Sequence, residues 1–177
     1  MYRLNLPPYP IKITERGEKR QIFDFLRRKY VALTPEEWVR QHFVHYLVEV
    51  KRYPKSLLAN EVELKVGDKK LRCDTLLYTQ TLQPRMIVEY KAPTIPLQQK
   101  IFDQISAYNL LLKVDYLVVS NGLQHVCCKM DYATLLSFEM VGSIPGQGTK
   151  IPQASGACKA PQPQQLSQCA LQPVRHN

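Results

Sequence analysis

Residues 85–91, RMIVEYK, limit the possible folds of this chain more than any other stretch. Met86, Ile87 and Val88 are apolar at consecutive positions, and the side chains of a strand alternate between its two faces. Both faces must therefore be covered, which predicts a central strand of a sheet with helices packed on it. The strand ends in a carboxylate, Glu89, and an ammonium, Lys91, about 7 Å apart on one face.

A consistent order of elements surrounds this strand. Thr34, Pro35 and Glu37 form a capping box with a proline at the first helical position, and they predict a helix that runs to about residue 51. The further predicted elements are strands at 61–66, 71–79 and 85–91, a helix at about 97–112, and strands at 116–120 and 125–130 joined by an Asn-Gly turn. The order predicts an α/β fold around a mixed sheet.

The composition divides the chain into three parts. Residues 1–19 are predicted to form an N-terminal arm and residues 20–140 a folded domain, in which 22–33 is a helix or an arm. Residues 141–177 are rich in Gln, Pro, Gly and Ser and lack acids. Such a segment buries too little apolar surface to offset its ordering entropy, which predicts a disordered tail. An early truncation or a change of reading frame would produce a similar tail.

The bulk composition limits the functional class. The net charge is +9, which suits a polyanionic partner such as nucleic acid. The five cysteines include no C-x-x-C pair, so neither a disulfide framework nor a zinc site is indicated. The N-terminus does not resemble a signal peptide, and no apolar run is long enough to span a bilayer. We therefore expect a cytoplasmic protein that has no membrane partner.

The pattern E-x-K occurs three times, at 49–51, 63–65 and 89–91. The first pair lies at a helix end, where positions i and i+2 do not share a face. The second pair shares a face with Glu61 in an alternating strand, which indicates a hydrated outer surface. The third pair follows the apolar central strand, so its surroundings differ from those of the other two.

Asp74 lies inside an otherwise apolar run on the preceding predicted strand. If residue 74 pairs with 89 or 91, then Asp74, Glu89 and Lys91 share a face, whereas pairing with 90 would separate them. Converging carboxylates need a compensating cation, and Mg²⁺ prefers carboxylate oxygens and binds phosphate in its remaining positions. A neighbouring lysine can orient or help to deprotonate the attacking water. These residue types suit phosphodiester hydrolysis.

The predicted helix at 97–112 adds an independent indication. Gln104 lies inside its apolar stripe, between Leu97 and Tyr108, and should face the sheet. A buried amide needs hydrogen-bonding partners, which the charged end of the strands could supply. The alternative is a glutamine at the frayed edge of the stripe.

These features together resemble the PD-(D/E)XK nuclease superfamily and, more narrowly, the N-terminal nuclease domain of type I restriction enzyme R subunits. The matching pieces are LTPEEWVRQHF (33–43), RCD (72–74), VEYKAP (88–93), QISAY (104–108) and SNG (120–122). The resemblance covers roughly residues 20–132, and Cys73 replaces the proline of the superfamily's name.

The resemblance implies a restriction-endonuclease-like αβββαβ core that cuts DNA with Mg²⁺. It implies that Asp74 and Glu89 are metal ligands, that Lys91 is the water-positioning base, and that Gln104 and Tyr108 support the site or contact DNA. In such nucleases the first helix often supplies another carboxylate.

Glu37 is our candidate for that further metal ligand. Its role in the capping box is an equally good explanation of its position, and Glu36 is the alternative carboxylate.

Basic side chains near these motifs are candidates for nucleic-acid binding. They are Arg27, Arg28, Lys29, Arg40 and Arg72.

These 177 residues contain no G-x-x-x-x-G-K-[ST] loop, so we expect no ATP-driven translocase within them. Candidate partners are DNA and separate restriction-modification subunits. A catalytically idle module for DNA binding or complex assembly is the alternative function. A scaffold unrelated to nucleic acid is a third.

Overall fold

A computed structural model of the protein describes residues 2–66, 69–98, 100–102, 105, 109, 112–132, 137–141 and 143–147. Only the backbone is described at 64–66, 69, 71 and 137–141. The described residues form a three-stranded sheet, a six-stranded sheet, and helices on the larger sheet.

The larger sheet is mixed, as the order of elements predicts. Its strands are β4 (Leu58–Val66), β5 (Lys69–Tyr78), β6 (Pro84–Tyr90), β7 (Tyr116–Ser120), β8 (His125–Asp131) and β9 (Ser137–Val141). The strands lie side by side in chain order, and β6 and β7 are parallel while the other neighbours are antiparallel. The parallel pair requires a crossover, which the chain makes between residues 90 and 116.

Helix α1 (Pro35–His45) packs on one face of this sheet and continues as a π-helical turn, Tyr46–Val50. Thr34 is the N-cap, and its hydroxyl oxygen accepts a hydrogen bond from the Glu37 N–H at 3.0 Å. The apolar side of α1 is buried against side chains of β5 and β6. This cluster includes Val39, Phe43, Leu47, Leu77, Met86, Val88 and Tyr90.

A second helix covers the opposite face, with helical residues at 100–102, 105, 109 and 112. Phe102 and Ile105 are buried against Ile87 of β6 and its neighbours on that face. Because Val88 packs toward α1 and Ile87 toward the second helix, β6 is covered on both sides. The central position predicted for this strand and the αβββαβ core are confirmed. No helix among the described residues is long and apolar enough to cross a membrane.

The smaller sheet lies before α1 and differs from the prediction of a helix or arm over 22–33. It contains the antiparallel strands β1 (Ile13–Arg16), β2 (Lys19–Asp24) and β3 (Lys29–Ala32). The Asp24 carboxylate accepts hydrogen bonds from the N–H groups of Leu26 and Arg27 at 2.9 and 2.7 Å. These bonds stabilise the turn between β2 and β3. The predicted boundary between residues 19 and 20 falls inside this sheet.

Packed structure continues past the change in composition at residue 141. Ile144 is buried in the α1 cluster, and the Gln147 N–H donates to the Lys51 carbonyl at 3.0 Å. Residues 148–177 lie outside the described part of the chain, so the disorder expected there stays a prediction.

Candidate active site

The pairing of β5 with β6 brings Asp74 next to Glu89. Thr75 pairs with Val88, and the next positions along the two strands are 74 and 89. One oxygen of Asp74 (Oδ2) accepts the backbone N–H of Tyr90 at 2.8 Å. The strand register is therefore the predicted one, while the Asp74 carboxylate turns toward Arg40 of α1.

Glu89 and Lys91 form an ion pair at the end of β6. Lys91 Nζ lies 2.9 Å from Glu89 Oε1, and the two side chains are 20% and 10% exposed. The Lys91 N–H donates to the Ser120 carbonyl at 2.9 Å, which keeps the backbone after β6 attached to β7. The pair is therefore held by the sheet and still reaches solvent.

The charges of this pair influence each other's protonation. Burial, followed by repulsion from Asp74, raises the pKa of Glu89 against the opposing effect of Lys91. Burial alone would lower the pKa of Lys91, but its hydrogen bond to Glu89 and the attraction of Glu89 and Asp74 outweigh this effect and raise it. Lys91 therefore stays protonated at neutral pH and acts as a hydrogen-bond donor in this arrangement.

Arg40 on α1 joins three carboxylates through one guanidinium. Its Nη1 lies 2.8 Å from Glu37 Oε2 and 2.6 Å from Glu61 Oε1, and its Nη2 lies 2.7 Å from Asp74 Oδ1. Burial lowers the pKa of Arg40, but attraction by Asp74, Glu37 and Glu61 outweighs this and raises it. The side chain is 7% exposed, and the nucleic-acid contact predicted for Arg40 stays a prediction.

Glu37 is engaged by protein donors on both oxygens. Gln41 Nε2 donates to Oε1 at 2.7 Å, and Arg40 contacts Oε2. The side chain thus turns inward, and only the Thr34 half of the capping box forms. Glu37 reaches Asp74 through Arg40, and its role as a metal ligand stays a prediction. The alternative, Glu36, is exposed.

The predicted nucleic-acid residues separate into two groups. Arg27 is bound internally, with Nε 2.6 Å from Asp24 Oδ2. Arg28 and Lys29, which follow it in the turn and β3, are exposed. Arg72 is 65% exposed and contacts Glu61 at 2.8 Å. Arg28, Lys29 and Arg72 are thus the exposed members of the predicted set.

Gln104 and Tyr108 lie outside the described residues, so their predicted roles stay predictions. The neighbouring residue Ile105 is buried against the sheet.

We did not predict a role for Glu61 from the sequence, and we expected its face of the strand to lie in solvent. Glu61 instead binds Arg40 and Arg72, and its φ is +56°. The spacing of Glu37 and Arg40, three positions apart on one helix, is the signal that could have indicated a buried ion-pair network. Nothing in EVELKV indicates the unusual backbone of Glu61.

The sequence also did not predict a second buried network, which is a series of side-chain hydrogen bonds. Tyr90 OH donates to Thr75 Oγ1 at 3.1 Å, Thr75 donates to Asn60 Oδ1 at 2.6 Å, and Asn60 Nδ2 reaches Asp24 at 3.1 Å. This network joins the smaller sheet to β6 directly beside the site.

The donor set suits a single hard cation. No three His, Cys, Asp or Glu side chains among the described residues are arranged to hold a metal ion. Mg²⁺ commonly needs only one or two carboxylates, because water and substrate phosphates complete its coordination. Asp74 and Glu89 supply such a pair. The ion pairs around this pair join five carboxylates to four cationic side chains.

Residues 35–145 match the family model described as the type I restriction enzyme R protein N terminus. The match covers more than half of the chain. The chain belongs to this family. Asp74, Glu89 and Lys91 of this R protein N-terminal domain lie within the match, whereas the three strands of the smaller sheet precede it.

Other comparisons are more distant. No curated protein matches the sequence. Among solved structures, a fragment of an HsdR subunit of a type I restriction enzyme from Vibrio vulnificus YJ016 covers 60% of this chain at 20% identity, with a TM-score of 0.39. The match covers 23% of that chain, so the R protein N-terminal domain described here corresponds to under a quarter of its length.

Proposed function

We propose that this domain is a Mg²⁺-dependent DNA endonuclease that hydrolyses phosphodiester bonds. The observation that carries the proposal is the placement of Asp74 beside Glu89 and Lys91 at the end of a central strand, in a chain of the R protein N-terminal family. A buried acid with a raised pKa, such as Glu89, beside a second acid and a lysine is the kind of cluster that active sites assemble.

Asp74 and Glu89 are the residues that would hold the metal. When bound, Mg²⁺ would acidify a coordinated water and offset the charge that develops on the phosphate. Asp74 presents its carboxylate from β5 with Oδ2 fixed by the Tyr90 N–H, and Glu89 presents its own from β6. Both carboxylates are fixed to rigid strands, which limits the reorganisation needed during the reaction.

Lys91 would orient the attacking water and contribute positive charge beside the scissile phosphate. In this arrangement its ammonium is protonated and donates to Glu89. To act as the base it must first lose a proton, which a nearby divalent cation would favour by repulsion. Gln104 and Tyr108 are proposed to support this site or contact DNA.

The exposed basic residues of the smaller sheet are proposed to bind the DNA backbone. Arg28 and Lys29 are exposed, and the turn that carries them is tied to the site because Arg27 Nη2 lies 3.7 Å from Glu37 Oε2. Phosphates attract such side chains through charge and counterion release. Arg72, which is exposed on β5 and contacts Glu61, is proposed to contribute to this binding.

The direct experiment incubates the protein with supercoiled plasmid and Mg²⁺ and compares the wild type with Lys91→Ala and Asp74→Ala. We expect nicking or linearisation by the wild type, loss of at least about 100-fold in either variant, and none in EDTA. Equal cleavage by the wild type and both variants would refute the assignment, because a contaminating nuclease would explain it.

A catalytically idle module for DNA binding or complex assembly is the alternative function. It is favoured by Arg40, whose guanidinium already neutralises Asp74. Salt-dependent DNA binding without cleavage in Mg²⁺ or Mn²⁺ would support this alternative, and metal-dependent nicking would exclude it.

The proposed partners follow from the family. We propose that the domain acts on DNA together with separate restriction-modification subunits. Co-purification of the chain with a methyltransferase or specificity subunit from co-expressed genes would test this.

A further inference from the structure

The pairing of β4 with β5 is interrupted beside the proposed site. Asn60 pairs with Thr75 and Val62 pairs with Cys73, and Glu61 lies between them with a φ of +56°. Residues other than glycine rarely adopt this conformation, and they do so where surrounding contacts hold them. The contacts here are two ion pairs, to Arg40 at 2.6 Å and Arg72 at 2.8 Å.

The side-chain alternation of β5 breaks at the same place. Cys73 and Leu76 pack in one apolar cluster, under the second helix. In a regular strand, residues three positions apart point to opposite faces. The break therefore falls between these two residues, where Asp74 reaches Arg40 Nη2 at 2.7 Å and the Tyr90 N–H at 2.8 Å.

Arg40 links the interruption to the site. Its planar guanidinium uses Nη1 for Glu37 and Glu61 and Nη2 for Asp74, and it lies 5.8 Å from the centre of the Tyr90 ring. A guanidinium can hold carboxylates in fixed directions on two arms, which a lysine ammonium cannot do. Glu61 fixes the arm opposite Asp74, so the orientation of Asp74 depends on both residues.

We propose that Arg40 and Glu61 are positioning residues of the nuclease site: Glu61 fixes Arg40, and Arg40 fixes the Asp74 carboxylate. This inference rests on the proposed function, because its effect on rate requires that the site cleave DNA. Neither residue touches the reacting phosphate. Their contribution is to keep Asp74 directed toward the position it shares with Glu89.

The first test compares Glu61→Gln with the matched control Glu63→Gln, a neutralised and exposed glutamate two positions along the same strand. Single-turnover plasmid cleavage is measured over a Mg²⁺ series. In Glu61→Gln we expect the maximal rate to fall about 10- to 100-fold and the half-saturating Mg²⁺ concentration to rise, as for other residues that orient metal ligands. DNA affinity should stay within about twofold of the wild type, and Glu63→Gln should match the wild type on both measures.

Arg40→Lys keeps the charge and removes the two-armed geometry. It should lose at least as much activity as Glu61→Gln, about 100-fold, because it acts on Asp74 directly. Circular dichroism and a thermal melt on each variant establish that it is folded before its rate is compared.

Hydrogen exchange gives a readout that does not depend on activity. The Tyr90 N–H is bonded to Asp74 Oδ2, whereas the next amide, Lys91 N–H, is bonded to the Ser120 carbonyl. Glu61→Gln and Arg40→Lys should speed exchange at Tyr90 at least about tenfold relative to Lys91, since a released Asp74 no longer protects that amide. Glu63→Gln should leave this ratio unchanged.

The outcomes separate the two proposals. A wild-type protein that leaves DNA intact in every divalent cation would refute the proposed function. An active wild type with a fully active Glu61→Gln variant and an unchanged Tyr90-to-Lys91 exchange ratio would refute only the positioning role. Slower cleavage together with faster Tyr90 exchange would support both proposals.

Discussion

Two buried carboxylates, Asp24 and Glu89, have pKa values shifted in opposite directions by their surroundings. Asp24 is 0% exposed and accepts hydrogen bonds from the N–H groups of Leu26 and Arg27, from Arg27 Nε and from Asn60 Nδ2. Burial alone would raise the pKa of Asp24, but these bonds outweigh it and lower the pKa.

Glu89 is almost as buried, at 8% exposed, and its pKa is raised. It accepts one hydrogen bond from Lys91 and lies beside a second acid, Asp74. The difference is one of donors: among the described residues, four groups donate to Asp24, whereas one, Lys91 Nζ, donates to Glu89. The first arrangement stabilises the fold, and the second suits a site that accepts a cation.

The largest expected effect is on catalysis, at Glu89. Glu89→Gln should reduce Mg²⁺-dependent plasmid cleavage by about 1000-fold, because a metal ligand is lost. Its free energy of unfolding should change by less than about 1 kcal/mol, since removing a destabilised charge offsets the loss of the Lys91 contact. The cleavage assay measures the rate, and urea unfolding measures the stability. A loss of stability in Glu89→Gln as large as that in Asp24→Asn would contradict the difference drawn between the two carboxylates.

Asp24→Asn should show the opposite pattern. We expect its free energy of unfolding to fall by about 2–4 kcal/mol, because Arg27 loses its buried partner and one acceptor becomes a donor. Cleavage per folded molecule should stay within a few-fold of the wild type. A urea unfolding curve that overlays the wild type would show that the Asp24 network does not stabilise the fold.

His45 offers a test of pH dependence away from the site. It stacks on Tyr9, with ring centroids 3.7 Å apart, and burial lowers its pKa to about 4. Because the unfolded chain binds the proton more tightly, the stability associated with His45 is complete above about pH 6.5 and is lost as the pH falls toward 4.

The change His45→Phe isolates this effect, because it preserves an aromatic ring and removes the titrating group. Between pH 7 and pH 5 the wild type should lose about 1–2 kcal/mol more stability than the variant. Urea unfolding midpoints at the two pH values measure the difference. If both proteins lose the same stability between these pH values, His45 is not the cause of the loss.

The smallest expected effect is on DNA binding, and it should differ between the neighbouring residues Arg27 and Arg28. Arg28 is exposed, so Arg28→Gln should weaken DNA binding by less than about tenfold and reduce the slope of log affinity against log salt by up to about 0.9. Arg27→Gln should mainly lower stability, because Arg27 is bound to Asp24. Fluorescence anisotropy over a salt series tests this, and an equal reduction in slope for both variants would contradict the separation of the two groups.

Local signals predicted the elements nearest the site. Thr34 caps α1 as its position before Pro35 indicates, and the apolar run 86–88 is a strand covered on both faces. The Asn121-Gly122 turn forms with Gly122 at a φ of +80°. These features are encoded within a few residues, so the sequence alone suffices for them.

The features that sequence reasoning missed depend on contacts between distant residues. The hairpin after β2 replaces the predicted helix or arm because Asp24 binds the turn and also Asn60, 36 positions away. The φ of Glu61 is set by Arg40 and Arg72, which lie on another helix and another strand. A glutamate rarely adopts a positive φ, so the sequence alone does not predict this conformation. The ion pairs of the folded protein explain it.

The most direct test of the proposed nuclease site compares Glu89→Gln and Asp24→Asn side by side in one Mg²⁺-dependent plasmid cleavage assay, at a temperature where both variants are folded. We expect Asp24→Asn to cleave at nearly the wild-type rate and Glu89→Gln to leave the plasmid supercoiled. Full cleavage by Glu89→Gln would contradict the assignment of Glu89 and its neighbours as a metal-dependent nuclease site.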